Sequence, residues 1–457
     1  MIYMPSTKEK HILRIIGKLY DQMLKTVRET EEKKPKNIIL YVGKIYGHML
    51  TAIKAYSKAE KRPFRLALIH DSKDKLDEYT EKHLENLDLD IACDTSNPSA
   101  IQAALLPYQE ELLTVTCRAE EKIPLLTRII PHVPYLNTPT TESLVWASDK
   151  VLMRERLRIH NADINPRFMV LENDTKTTIK MIEEEIGYPL VVKPSGLAAS
   201  RLVSICYHRE ELEVVLKTVF QSIEEVYQTS GMGKWEPRIL VEQFIDGDMY
   251  SVDAYVNGTG KIWFCPLVQI KTGRAIGFDD FFGYQQMTPT ALNQDSVMTA
   301  EVVAGEAIHA LGLRHTTAHV EMFKTEQGWK IIELGARIGG FRHMLYDFAY
   351  GFNHTVNDLL VRMGEKPVVT KKLKGCAVAM KFFAKQEGKL EKITGIKKIQ
   401  DFKSFERLYV RKEPGAECLF AKNGGASVFD LIMFNKDRSE LLADIRRVEQ
   451  TVEIMTK

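Results

Sequence analysis

No CxxC pair occurs in this chain, and its six cysteines (Cys93, Cys117, Cys206, Cys265, Cys376, Cys418) are scattered singly. That spacing argues against a metal cluster or a disulfide framework and predicts small, buried, reduced side chains. No apolar run reaches the ~18 residues that a membrane-spanning helix needs. The opening "MIYMPSTKEKHILRIIGKLY" puts charges where a signal peptide requires an apolar core, so a cytoplasmic location is expected. Neither charge sign is in excess: 63 Lys plus Arg against 61 Asp plus Glu leave +2. Such a balance lends no support to a nucleic-acid or membrane partner. No GxGxxG follows the first strand-like run, which removes the usual dinucleotide signal, and neither internal repeats nor low-complexity tracts are present.

At 457 residues the chain exceeds one ordinary core, so roughly two to four domains are expected. Hydrophobic residues at 44% and charged residues at 27% fit a soluble globular protein, with a homodimer left open. Residues 7–34 have helical apolar spacing and close in "ETEEKKPKN", which predicts a helical extension and linker over 1–35. "NIILYVG", "FRLALIH" and "ELLTVTC" are then β-rich runs separated by helical segments such as "HMLTAIKAYSKAEK". This alternation predicts a Rossmann-like parallel sheet over 36–145. After "NTPTTESLVWASDK" come "GYPLVVKPSG" and a strand-rich stretch in which "NGTG" marks a hairpin. From 371 onward, strands mix with a closing helix, "RSELLADIRRVEQTVEIMTK". The fold class read from this order combines α/β with α+β.

"AHVEMF" and "WKIIEL" are β-like runs flanking "KTEQG", whose glycine suits a hairpin loop. A hairpin centred on Gln327 places Glu321 directly across from Glu333. Opposed like charges destabilise a strand pair, so a cation is expected between them, and Mg²⁺ favours carboxylate oxygens shared with substrate phosphates. Strand period two then sets Glu333, Gly335 and Arg337 on one face, aiming the arginine at the same site. His319 shares the face of Glu321. The competing arrangement turns one glutamate to solvent and leaves Arg337 in an ordinary ion pair. A helical reading of "IIELGARIGG" is weaker, because Gly335 interrupts it and Gly339-Gly340 follow.

Lys193 ends an apolar strand before the small-residue turn of "VVKPSGLAASRLVSI", a place where backbone N–H groups can approach phosphate. A surface turn explains the same residues. "ILVEQFIDGD" reads either as a strand offering backbone groups and the apolar Phe244 and Ile245 to an adenine edge, or as a buried strand ending in a D-G turn.

In order, "DKVLMRERL", "PLVVKPSG", "VEQFIDG", "HVEMF" and "IELGARIGG" resemble the signature segments of the ATP-grasp superfamily of ligases over roughly 36–450. The resemblance implies a Rossmann-like N-terminal domain, an ATP-grasp domain over 146–370 with its nucleotide-binding lid at about 155–245, a central antiparallel-sheet domain, and a small C-terminal α+β subdomain over 371–457. It also implies that Lys150, Lys193 and Ser200 of the phosphate loop contact ATP phosphates. By the same likeness Glu242 receives the adenine amino group, while Gln243, Phe244 and Ile245 form the hinge that holds the base. Glu321 and Glu333 become ligands of Mg²⁺ (or Mn²⁺), and Arg337 steadies the transferring phosphoryl group. Four positions depart from the pattern: Gly335 stands where Asn is usual, Met249 where an acidic ribose ligand is usual, so that this contact falls to Asp248 or is lost, and Ala199 and Leu202 replace loop glycines.

Within the superfamily, "ELGARIGG" and "AVAMKFFAKQEGKLEKITG" look most like the L-amino-acid ligases. There ATP converts a carboxylate to an acyl-phosphate that an amine captures, so ATP and small carboxylate and amine substrates are the expected partners. Arg274, in the loop "KTGRAIGFDDFFGYQQMTP", is a candidate carboxylate clamp, and Arg342 and His343 are candidates to face the acceptor. A non-catalytic ATP-binding module and a purine-biosynthetic or carboxylase-type ligase are the competing readings. No biotin-attachment motif favours the last.

Overall fold

A computed structural model describes residues 35–196, 202–229 and 236–457, together with residue 18. Apart from Lys18, the expected helix over 7–34 lies outside the described residues, as does Ser200.

The strands Ile38–Val42, Arg65–Asp71, Leu89–Cys93 and Leu112–Thr116 form a parallel sheet, with Ile38–Val42 between Arg65–Asp71 and Leu112–Thr116. All five residues of "IILYV" are buried, as a strand covered on both faces requires. The helix Gly47–Ala59 buries Met49, Leu50 and Ile53 along one face.

A four-stranded antiparallel sheet follows, ordered Phe168–Leu171, Ile239–Gln243, Leu190–Pro194, Ser204–Cys206. With helices Lys176–Glu185 and Arg209–Thr229 it encloses its own apolar core around Ile182, Val192, Leu216 and Val241. This unit falls within residues 155–245.

The strands Asp248–Val256, Val268–Thr272, Gly283–Thr288, Thr316–Thr325 and Gly328–Gly335 belong to a nine-stranded sheet. Strands Cys376–Phe382, Phe429–Asn435 and Phe405–Val410 continue the same sheet, while Gly388–Thr394 begins a smaller sheet of three. The "NGTG" turn does join two paired strands, with Val256 opposite Ile262. The closing helix is shorter than expected: it spans Arg438–Thr451, and Glu453–Thr456 is a strand paired with Gly388–Thr394. Helical apolar spacing stops at Val448, and the tail finds backbone partners in an open sheet edge instead.

Candidate active site

The acidic pair faces as its spacing predicts, but by a different path. Thr325 pairs with Gly328, so the loop is Glu326-Gln327 and not a turn centred on Gln327. A register shift then skips Ile332, and this bulge brings Glu321 opposite Glu333. Arg154, from helix Lys150–His160, donates from Nη1 to the Ile331 carbonyl (2.9 Å) and from Nη2 to the Ile332 carbonyl (2.7 Å). Two carbonyls at the irregularity thereby gain partners that a regular ladder would not supply.

Lys150 opens that same helix. Asp149 caps it, accepting from the N–H groups of Val151 (2.9 Å) and Leu152 (3.2 Å) and from Ser195 Oγ (2.7 Å), which ties the helix to the loop after Leu190–Pro194. Lys150 Nζ lies 3.1 Å from Glu333 Oε1. Burial works against the lysine's charge, yet Glu333 outweighs it and holds the pKa above its ordinary value.

His319 connects Glu321 to a deeper carboxylate. Its Nδ1 is 2.6 Å from Asp253 Oδ1 and its Nε2 is 3.1 Å from Glu321 Oε1. Asp253 is fully buried and also receives His354 Nε2 (2.7 Å) and the Gly339 N–H (2.8 Å). Burial opposes ionisation of Asp253, but the two imidazoles overcome it and set its pKa well below the usual carboxylate range. Burial likewise works to raise Glu321, and His319, Arg337 and Arg342 reverse the effect. Gly339 has a steric reason to be glycine: a Cβ there would stand 2.5 Å from His319 Nδ1.

Arg337 is held from the parallel-sheet domain. Its Nε donates to Glu120 Oε2 at 2.5 Å, and although burial opposes its charge, Glu120, Glu333 and Glu321 keep its pKa raised. Gly335 makes room for this contact, since a Cβ would meet Glu120 Oε2 at 3.1 Å.

The Glu242 side chain is bound by two cations of the protein. Oε1 accepts from Arg154 Nε (2.6 Å), and Oε2 faces Lys193 Nζ (2.7 Å) and Arg154 Nη2 (3.2 Å). Burial penalises the Glu242 charge, but both cations prevail and lower its pKa to about 2. Burial dominates at Lys193, pulling it down to about 8 against the attraction of Glu242. Next along the chain, Gln243 Oε1 accepts from Arg167 Nε (3.3 Å) and the Phe244 N–H donates to the Pro189 carbonyl (3.1 Å). Ile245 is only part-buried, and Asp248 is exposed opposite Lys324.

The remaining candidates are engaged within the protein. Arg274 Nη2 donates to Tyr207 Oη on the lid (2.8 Å), and its guanidinium covers the Phe281 ring. Arg342 is buried, with Nη1 on Gln286 Oε1 and Nη2 on Ser251 Oγ, each at 2.6 Å. It braces the floor beneath Glu321, because Ser251 is Glu321's partner in the neighbouring strand. His343 lies 3.3 Å from Arg118 Nη2. Sequence reasoning missed Arg154, Asp253, Glu120 and Arg118. Asp253 alone had a local signal, its alternation with Ser251 on a strand.

The donor chemistry fits Mg²⁺ carried in with a nucleotide. Two facing carboxylates offer hard oxygens, and Lys150 and Arg337 stand beside them to meet phosphate charge. Among the described residues, no group of three or more His, Cys, Asp or Glu could hold a cation by itself, and no helix is long and apolar enough to cross a membrane.

Residues 186–344 match the family model described as an ATP-grasp domain. A protein of uncharacterised function from Sinorhizobium fredii is 26% identical over 342 residues, covering 72% of this chain and 66% of the relative. Phosphoribosylamine–glycine ligase from Streptococcus pyogenes is 28% identical over 207 residues, 41% of this chain and 44% of that protein. The chain thus spans from under half to just under two thirds of these curated relatives. Among solved structures, L-amino acid ligase from Bacillus licheniformis superposes with a TM-score of 0.74 at 18% identity, covering 93% of this chain and all of that one. The biotin carboxylase domain of Hydrogenobacter thermophilus 2-oxoglutarate carboxylase, solved with MgADP, gives 0.62 at 15% identity over 91% and 90%. The chain thus resembles ATP-grasp proteins over residues 186–344 and shares the fold of these solved structures.

Proposed function

We propose that the protein is an ATP-dependent carboxylate–amine ligase of the L-amino-acid-ligase type. The observation that carries this reading is the register that faces Glu321 with Glu333 beside Lys150 and Arg337. In the reaction a substrate carboxylate oxygen attacks the γ-phosphorus of ATP and ADP departs. An amine then displaces phosphate from the acyl-phosphate and loses a proton to form the amide.

Such chemistry is mostly positioning and charge neutralisation. A divalent cation on Glu321 and Glu333 would supply part of the neutralisation. Lys150 and Lys193 contribute fixed positive charge along the phosphates. Arg337, steadied by Glu120, orients the reacting carboxylate and the transferring group. His319 keeps Glu321 turned into the site. The Ile245 main chain is left to hold the base, since the Glu242 side chain is committed to Arg154 and Lys193 and the Gln243 and Phe244 N–H groups are bonded to the carbonyls of Arg167 and Pro189.

The test is release of phosphate and ADP from ATP and Mg²⁺ with pooled carboxylic and amino acids, with mass spectrometry of the product. Glu321→Gln and Glu333→Gln are each expected to cut the rate by about 10² to 10³, or about 3–4 kcal/mol. ATP binding without magnesium-dependent turnover in any pool would favour the non-catalytic module. The similarity to phosphoribosylamine–glycine ligase supports the purine-type acceptor as the second reading, and the product's mass separates the two.

A further inference from the structure

Arg118 is a buried-side cation that lacks an acidic partner. Its Nη1 bonds His48 Nε2, its Nη2 lies 3.3 Å from His343 Nδ1, and its guanidinium covers the Tyr46 ring at 5.2 Å. Glu120 and Glu121, the nearest carboxylates in sequence, are taken up by Arg337 and Lys44. Asp253 and Asp358, the deeper ones that favour its charge, are held by the two histidines and by Arg362. Among the described residues, no carboxylate forms an ion pair with it. Burial therefore dominates and draws Arg118 down to about 10.

The two imidazoles stack with centroids 4.0 Å apart and planes 14° from parallel. Burial, and then neighbouring positive charge, depresses both, His48 to about 3, so they are neutral and accept from Arg118. Accepting at those nitrogens leaves the opposite ring nitrogen of each as an N–H donor. No negative charge is introduced by this arrangement.

A second cation stands at the other end of the same turn. Lys381 Nζ sits over the Phe341 ring at 5.6 Å. Its register partner Asp430 is engaged by Arg411 Nε (2.8 Å) and Ser427 Oγ (2.6 Å). Phe341 and His343 stand two positions apart in one turn, so the cations that touch them flank that turn. Phe341 itself adopts a left-handed backbone (φ 59°), a conformation that non-glycine residues keep only where their surroundings enforce it. Desolvated cations without counter-charges are costly, and an incoming anion removes that cost.

Resting on the ligase reading, we propose that the Phe341–His343 turn, flanked by Arg118 and Lys381, binds a second anionic group of the substrate, distinct from the carboxylate that is phosphorylated. The preferred substrate therefore carries two negative groups. A second carboxylate and a phosphate monoester share this chemistry, and the experiment separates them.

Calorimetric titration of the full chain without nucleotide tests the assignment, using two compounds that each carry two anionic groups (the dianions below), glutarate and 3-phosphoglycerate, and the monoanion butyrate. One of the two dianions is expected to bind at least about tenfold tighter than butyrate, and the tighter one identifies the group. Arg118→Gln and Lys381→Met should each weaken that dianion by about tenfold or more, with Arg118→Lys intermediate. Lys381→Met gives the same readout if Arg118→Gln fails to fold. Equal binding of all three anions, or wild-type affinity for the dianion in both Arg118→Lys and Lys381→Met, overturns the proposal. Magnesium-dependent turnover that shows no preference for dianions would overturn it while leaving the ligase reading intact. Loss of ATP binding and turnover would defeat the ligase reading instead.

Discussion

Arg154 grips both carboxylate oxygens of Glu242, at 2.6 and 3.2 Å, with the same guanidinium that holds the carbonyls of Ile331 and Ile332. One side chain thereby joins the strand Ile239–Gln243 to the bulge that aligns the acidic pair. Both partners are almost inaccessible to water, at 0% and 5% side-chain exposure. Arg154→Met leaves Glu242 with Lys193 alone and strands two carbonyls, so a loss of about 3–5 kcal/mol is expected in urea unfolding. A loss below about 1 kcal/mol would show that the link contributes little.

Glu242 also sets an acid limit. Its folded pKa, about 2, lies below the ordinary 4.5, so its contribution is fully present above about 4.5. Stability is lost as pH falls from there toward about 2. Melting curves across that interval should fall less steeply for Glu242→Gln than for the native chain.

Gly335→Asn restores the residue usual in the superfamily, yet it is expected to lower activity. Its Cβ would crowd Glu120 Oε2 at 3.1 Å and loosen Glu120 from Arg337. Loss of a hydrogen bond to a charged group predicts about 1.5–3 kcal/mol of destabilisation by chemical denaturation. Unchanged stability together with faster turnover would mean that Glu120 yields without cost.

Arg274 is expected to act as a lid latch rather than a carboxylate clamp. Arg274→Ala and Tyr207→Phe should then raise the KM for ATP similarly, and the double variant should add little to either. A clamp predicts a different outcome: Arg274→Ala alone would raise the KM for the carboxylate substrate.

Strand period and loop composition were enough to place Glu321 against Glu333 and Arg337 near them, because alternation acts over neighbouring residues. They missed the centre of the turn. A bulge needs only one extra residue, and what stabilises this one is Arg154, 177 and 178 positions away from its acceptors. For Glu242, motif order singled out the residue, but the burial that pairs its carboxylate with Arg154 and Lys193 is not written in "VEQF". The same applies to Arg342, which was expected at an acceptor and instead packs on Gln286 and Ser251.

By itself the sequence determined the alternating parallel unit, the strand-rich centre, the isolated cysteines and the order of the ATP-grasp motifs, since each depends on local periodicity or spacing. Tertiary structure alone decided which charges are neutralised and which are not. Glu120 meets Arg337 across 217 residues and Arg118 meets His343 across 225. Whether a cation finds an acid or an imidazole depends on which surfaces fold together, and burial then magnifies the difference because the interior screens charge far less than water does.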